Sequence, residues 1–146
     1  MKTTPAAFLS VLALSLLASC GAGAAGTYAV DEAELRKAMM TGLTDEERSK
    51  PETAKLMDEM LNGMDITFDL QADGTATLRV KMVVAGQRSD DSKQRTWKLD
   101  GERLTITRKL DKTLKEEGRT VDYKDGSFTM EEEVRGRQVM LTFKKR

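Results

Sequence analysis

Residues 64–84 read MDITFDLQADGTATLRVKMVV, and this stretch decides the fold. Apolar and polar side chains alternate on both sides of Asp73-Gly74, with Met64, Ile66, Phe68 and Leu70 before the pair and Ala76, Leu78, Val80, Met82 and Val84 after it. A period of two places apolar side chains on one face of a β-strand. Asp-Gly between two such runs is typical of a tight hairpin. The stretch therefore predicts two antiparallel strands with one apolar and one hydrated face.

The same pattern continues toward the C-terminus. Asp100-Gly101, Asp125-Gly126 and Arg135-Gly136 each separate two alternating runs. We count seven strands over about residues 64–144, joined mostly by tight turns. An open meander leaves two exposed edges, so we expect the sheet to curl toward a partly open barrel.

The segment of about residues 31–62 has helical patterning. Asp31 can cap a first helix, Thr44 can cap a second, and Pro51 suits the first turn of a further helical piece. We expect these helices to pack on the concave face of the sheet. The predicted class is α+β, mainly β.

The N-terminus has the features of a secretory signal. Lys2 precedes a nearly continuous apolar run over residues 6–18, and small residues follow. This run is shorter than the roughly 20 apolar residues that a spanning helix needs. Leu17-Ala18-Ser19-Cys20 resembles the lipobox of bacterial lipoproteins. An ordinary signal peptide, cut after Ala22-Gly23-Ala24, is the alternative.

The lipobox resemblance implies that the signal peptide, residues 1–19, is removed and that the Cys20 thiol carries a lipid. Gly21 follows the cysteine, which in Gram-negative lipoproteins implies the outer membrane, facing the periplasm. Residues 20–26 would form the lipidated end and a flexible tether, and residues 27–146 a single domain. The chain has one cysteine and no histidine, which argues against an internal disulfide or an activated catalytic thiol.

The domain resembles the lipocalin-like small lipoproteins of bacteria. Four stretches carry the resemblance: Gly26-Thr27-Tyr28, Asp73-Gly74-Thr75, residues 97–107 and Tyr123-Lys124-Asp125-Gly126. Lipocalins begin their first strand with Gly-x-Trp. Here Tyr28 stands in place of the tryptophan, and we expect the segment to lead into a helix rather than form a strand.

Two groups of residues are candidates for ligand contact. The bulky aromatic residues could line a cup for an amphiphile or pack as core: Phe68, Trp97, Tyr123, Phe128 and Phe143. Met57, Met60 and Met64 recur at helical spacing. They could bind Cu(I) or fill gaps between helix and sheet, and we expect the second.

The charged residues suggest little chemistry. Asp90-Asp91 and residues 131–133 are acidic neighbours, and Glu132 shares a strand face with Met130 and Val134. Of these acids Glu132 is the one that this face could partly bury, but we expect it at a sheet margin in water, and we expect no catalytic residue. The chain has 24 basic and 24 acidic residues, without the basic excess of nucleic-acid binders.

The predicted function is a membrane-anchored, non-catalytic binding or interaction module of the cell envelope. Its partner would be a small amphiphile or an envelope protein, and the Cys20 lipid its only bound group, without cofactor or metal. The alternative is a small periplasmic hydrolase that uses carboxylates such as Glu132.

Overall fold

The computed structural model describes residues 23–109, 115–134 and 136–146. Three helices lie between the first two of eight strands. The elements in chain order are β1 Gly26–Val30, α1 Glu32–Thr41, α2 Asp45–Ser49, α3 Pro51–Asn62, β2 Asp65–Leu70, β3 Thr75–Val84, β4 Gln87–Asp100, β5 Arg103–Lys109, β6 Glu116–Lys124, β7 Ser127–Val134 and β8 Arg137–Lys145. The mainly β class is confirmed.

The strands form a closed antiparallel barrel in which each strand pairs with its neighbours in sequence. This is the up-and-down architecture that lipocalins use. The hairpin predicted around Asp73-Gly74 is confirmed, with Phe68 opposite Leu78. The Asp125-Gly126 turn is also confirmed, and both residues have positive φ, 51° and 71°, as a two-residue hairpin turn requires.

The predictions of seven strands and a partly open barrel are wrong. Residues 26–30 form an eighth strand that joins the two sheet edges: Tyr28 pairs with Phe68 on β2, and Val30 with Phe143 on β8. A strand of five residues is too short to show a clear period. Both of its partners lie far along the chain, so no local pattern reports the pairing. β1 thus joins β2 and β8, so that neither is left as the free edge strand of an open meander.

The predicted helix starts are confirmed. The Asp31 carboxylate accepts a hydrogen bond from the backbone N–H of Ala33 at 2.9 Å. Thr44 and Glu47 form a reciprocal capping box at the start of α2, and Pro51 is the first residue of α3. These caps satisfy backbone donors that no helical partner reaches.

The helices cover the barrel end at which β1 finishes and β2 begins, which we call the helix-covered end. α1 packs against β8, and α3 packs against β3. At the end of α3, Val83 donates its backbone N–H to the carbonyl of Gly63 at 2.8 Å. Helix and barrel are therefore joined by backbone as well as by side chains.

The packed part of the chain begins earlier than Thr27. Ala24 is fully buried, and its carbonyl accepts a hydrogen bond from the Tyr28 hydroxyl at 2.5 Å. The Gly23 carbonyl accepts a hydrogen bond from Lys145 Nζ at 2.9 Å. Residues 23–26, which we expected to belong to the flexible tether, are thus held against the barrel.

Candidate functional site

Aromatic side chains fill the middle of the barrel. Phe128 stacks on Phe143 with ring centroids 5.2 Å apart, and Phe68 meets both rings edge-on. Tyr28 contacts Phe128 in a further edge-to-face pair. Such packing is favourable beyond the area it buries. The barrel interior is therefore a packed core at this level.

The five aromatic residues that we considered as ligand-lining all belong to this core or to its margin. Phe68, Phe128 and Phe143 are almost completely buried, and Trp97 is buried with its indole N–H donated to the carbonyl of Gln71 at 2.8 Å. Tyr123 is half-buried, and its hydroxyl lies 3.0 Å from that of Tyr28. None of the five lines the cavity described next.

A cavity of about 690 Å³ lies at the helix-covered end, between α1, α3 and the β7–β8 hairpin. Its volume is within the range of sites that hold small ligands. Most of its surface is apolar, and nine of the lining residues have apolar side chains: Ala38, Met39, Leu43, Leu56, Met57, Met60, Val134, Val139 and Met140. Threonines and Gln138 supply polar groups, and Glu34, Lys37 and Arg137 supply charges. The arrangement suits a largely apolar molecule with a polar end.

Four methionines contribute to the cavity wall: Met39, Met57, Met60 and Met140. Two of the three methionines considered for Cu(I), Met57 and Met60, are among them. Met64 instead packs at the edge of the hydrophobic core. Unbranched thioether side chains adapt to irregular shapes, so this wall can adjust to ligands of different outline.

Two of the charged groups at the cavity are cations without an ion pair. Within the described ranges, no carboxylate lies within 4.0 Å of the Lys37 ammonium or the Arg137 guanidinium. The pKa of the Glu47 carboxyl is lowered chiefly by hydrogen bonds from Thr44, with a smaller contribution from the charge of Arg137. The cavity rim is thus positively charged at these two positions.

Glu132 does not lie at a sheet margin in water, and that prediction is wrong. Its side chain is buried and forms a bidentate ion pair with Arg95, with Nη2 2.9 Å from Oε2. The Arg95 guanidinium also lies 5.6 Å from the centre of the Phe68 ring. Both carboxylate oxygens are occupied by one guanidinium, so Glu132 is not placed as a free acid or base.

The other acidic neighbours lie on the surface. Asp90 and Asp91 are exposed on β4, and Glu131 and Glu133 are exposed on β7. Across residues 23–109, 115–134 and 136–146, no group of three or more histidine, cysteine, aspartate or glutamate side chains is placed to hold a metal ion.

The signal peptide and Cys20 lie outside the described residues. Of the helices in the described part of the chain, none has the length and apolar content needed to span a bilayer.

Sequence reasoning missed the cavity because it assigned α3 a single apolar face. Helical spacing puts Ala54, Met57, Leu61 and Met64 on one side of this segment. Leu56 and Met60 widen the apolar arc beyond it, and Leu56 is 55% exposed. An arc wider than one packing face is a signal that could have indicated a second contact surface.

Comparison with known proteins does not assign the chain to a family. No protein-family model matches the chain, and no curated protein matches it significantly. A solved structure described as a REP1-NXSQ fatty acid transporter mutant matches with 17% identity and a TM-score of 0.35, over 84% of this chain and 97% of that chain. We draw no functional conclusion from a likeness of this size.

Proposed function

We propose that the protein is a lipid-anchored binding module of the bacterial cell envelope that holds a single-chain amphiphile in the cavity at the helix-covered end. The observation that carries the ligand proposal is the cavity itself, about 690 Å³ with a mainly apolar wall. The observation that supports the anchor is the lipobox-like sequence ending at Cys20.

The cavity favours an acyl chain over a rigid ring system because four flexible methionines form part of its wall. Each methylene that enters an apolar site contributes about 0.8 kcal/mol, or about fourfold in affinity. Affinity should therefore rise with chain length until the cavity is filled. A series of alkanols from eight to sixteen carbons, titrated by displacement of a fluorescent probe, measures this dependence.

The position of the site can be tested with two surface variants. Met140 lines the cavity and is 59% exposed, whereas Val83 is 45% exposed and does not line it. Met140→Glu places a charge in the apolar wall and should weaken alkanol binding by about fivefold or more, whereas Val83→Glu should leave it unchanged. Equal effects of the two variants, with both proteins folded, would contradict this location.

The anchor has a separate test. Cys20→Ala should abolish incorporation of a fatty-acid analogue supplied to cells, since the thioether needs the sulfur. Two or more acyl chains hold a protein firmly on a membrane, so the wild-type protein should remain in the membrane fraction. Label retained by the variant would contradict the assignment of Cys20.

A further inference from the structure

The charges around the cavity constrain which end of a bound amphiphile faces the solvent. This inference rests on the proposed function. Lys37 reaches the cavity from α1, and Arg137 reaches it from the start of β8. Both residues are exposed. One Arg137 nitrogen lies 3.3 Å from the position that a Cβ atom on Gly42 would occupy, so the guanidinium lies beside the end of α1. The two cations therefore stand at the solvent side of the cavity.

The inner side of the cavity is apolar. Val134 and Val139 line it and also belong to the core or pack against it. Glu132 pairs in register with Val139 and is two residues from Val134 on the same inward face of β7. The buried Arg95–Glu132 ion pair thus lies beside Val139, although neither of its residues lines the cavity.

Arg95 offers no free positive charge to a ligand that enters head first. Its two terminal nitrogens donate hydrogen bonds to the two carboxylate oxygens of Glu132. An anionic head group would have to displace that carboxylate and leave it buried without a partner, which is strongly unfavourable. Lys37 and Arg137 carry no such partner within the described residues.

We infer that the ligand is a single-chain amphiphile with an anionic head group, bound with its tail toward Val134 and Val139 and its head between Lys37 and Arg137. Among the residues that line the cavity, the two cations Lys37 and Arg137 outnumber the single carboxylate of Glu34, and Glu47, which interacts with the charge of Arg137, lies outside the lining. A carboxylate or a phosphate satisfies this arrangement, and a cationic head does not.

The test uses the full-length chain and compares three ligands that each carry one twelve-carbon chain: dodecanoate, dodecanol and dodecyltrimethylammonium. We expect dodecanoate to bind about tenfold more tightly than dodecanol, and the cationic ligand more weakly than either. In the double variant Lys37→Gln/Arg137→Gln the ratio of dodecanoate affinity to dodecanol affinity should fall to about one. Lys124→Gln/Lys144→Gln, which alters two exposed lysines outside the cavity lining, should retain the preference.

Each contrary result has a distinct meaning. A preference that survives in Lys37→Gln/Arg137→Gln would overturn the rim assignment but not the proposed function. A preference lost instead in Arg95→Met/Glu132→Leu, which removes the interior pair, would show that the head enters first. Failure of all three ligands to bind the wild-type protein would overturn the proposed function and this inference together.

Discussion

Arg95 on β4 and Glu132 on β7 form a bidentate ion pair across the interior of the barrel, with both side chains about 95% buried. Their strands are not neighbours in the sheet, so the pair links two separate parts of the barrel wall. A buried charge is tolerated only when it is paired and hydrogen-bonded. The pair therefore depends on the barrel being closed.

Glu132→Gln should destabilise the protein by about 3–5 kcal/mol because it leaves the Arg95 charge buried and unpaired. Arg95→Met/Glu132→Leu removes both charges and should restore stability to within about 1 kcal/mol of wild type, or above it. Urea unfolding followed by tryptophan fluorescence measures both. A double variant as unstable as the single one would contradict this account.

The hydroxyl of Tyr28 holds the start of the chain against the barrel. It donates to the Ala24 carbonyl at 2.5 Å and lies 3.0 Å from the Tyr123 hydroxyl. Tyr28→Phe leaves that carbonyl without its donor and should cost about 1–3 kcal/mol. Tyr123→Phe, the matched control, keeps the bond to Ala24 and should cost less in the same unfolding assay.

Stability should fall at alkaline pH through Tyr28. Burial, and then the hydrogen bond with Tyr123, raises the pKa of Tyr28 above its ordinary value of 10.0. The folded state therefore keeps this proton at a pH where the unfolded chain loses it. The stabilisation that the protonated Tyr28 hydroxyl gives to the folded state is therefore fully present below pH 10, the pKa in the unfolded chain. It is lost as the pH rises above that value. Unfolding at pH 9, 10 and 11 should show a steeper decline for wild type than for Tyr28→Phe, and parallel declines would contradict the assignment.

Close packing, not the backbone conformation, requires glycine at position 63. Its φ is −100°, which any residue can adopt. A Cβ atom there would lie 2.3 Å from the carbonyl oxygen of Val83, which is backbone and cannot simply rotate away. Gly63→Ala should cost about 1–3 kcal/mol. At Gly42, which ends α1 as Gly63 ends α3, the nearest atom to such a Cβ is a nitrogen of the flexible Arg137 side chain at 3.3 Å, and the nearest backbone atom is 3.8 Å away. Gly42→Ala should therefore be nearly neutral, and equal thermal shifts for the two variants would contradict the distinction.

Where the fold begins can be tested by shortening the chain. We expect a chain that starts at Thr27 to fold, because it keeps all eight strands and lacks only Gly26, the first residue of β1. It should be about 1–3 kcal/mol less stable than one that starts at Gly23, since it lacks the Ala24 carbonyl that Tyr28 needs. Circular dichroism and urea unfolding compare the two, and equal stability would show that residues 23–26 contribute nothing.

The sequence by itself determined the features that depend on neighbours along the chain. Alternation around Asp73-Gly74 predicted a hairpin, and Asp31, Thr44 and Pro51 predicted the helix starts, because turns and caps are set within a few residues. It also placed Glu132 on the same strand face as Met130, since strand periodicity is local.

Only the tertiary structure decided what distant segments do together. The pairing of Gly26–Val30 with both β2 and β8 closes the barrel, and closure brings Arg95 to Glu132 and buries both. The cavity is lined jointly by Leu56 and Met60 of α3 and by Val139 and Met140 of β8. Contacts between residues separated by tens of positions leave no period in the sequence, so these features had to be read from the fold.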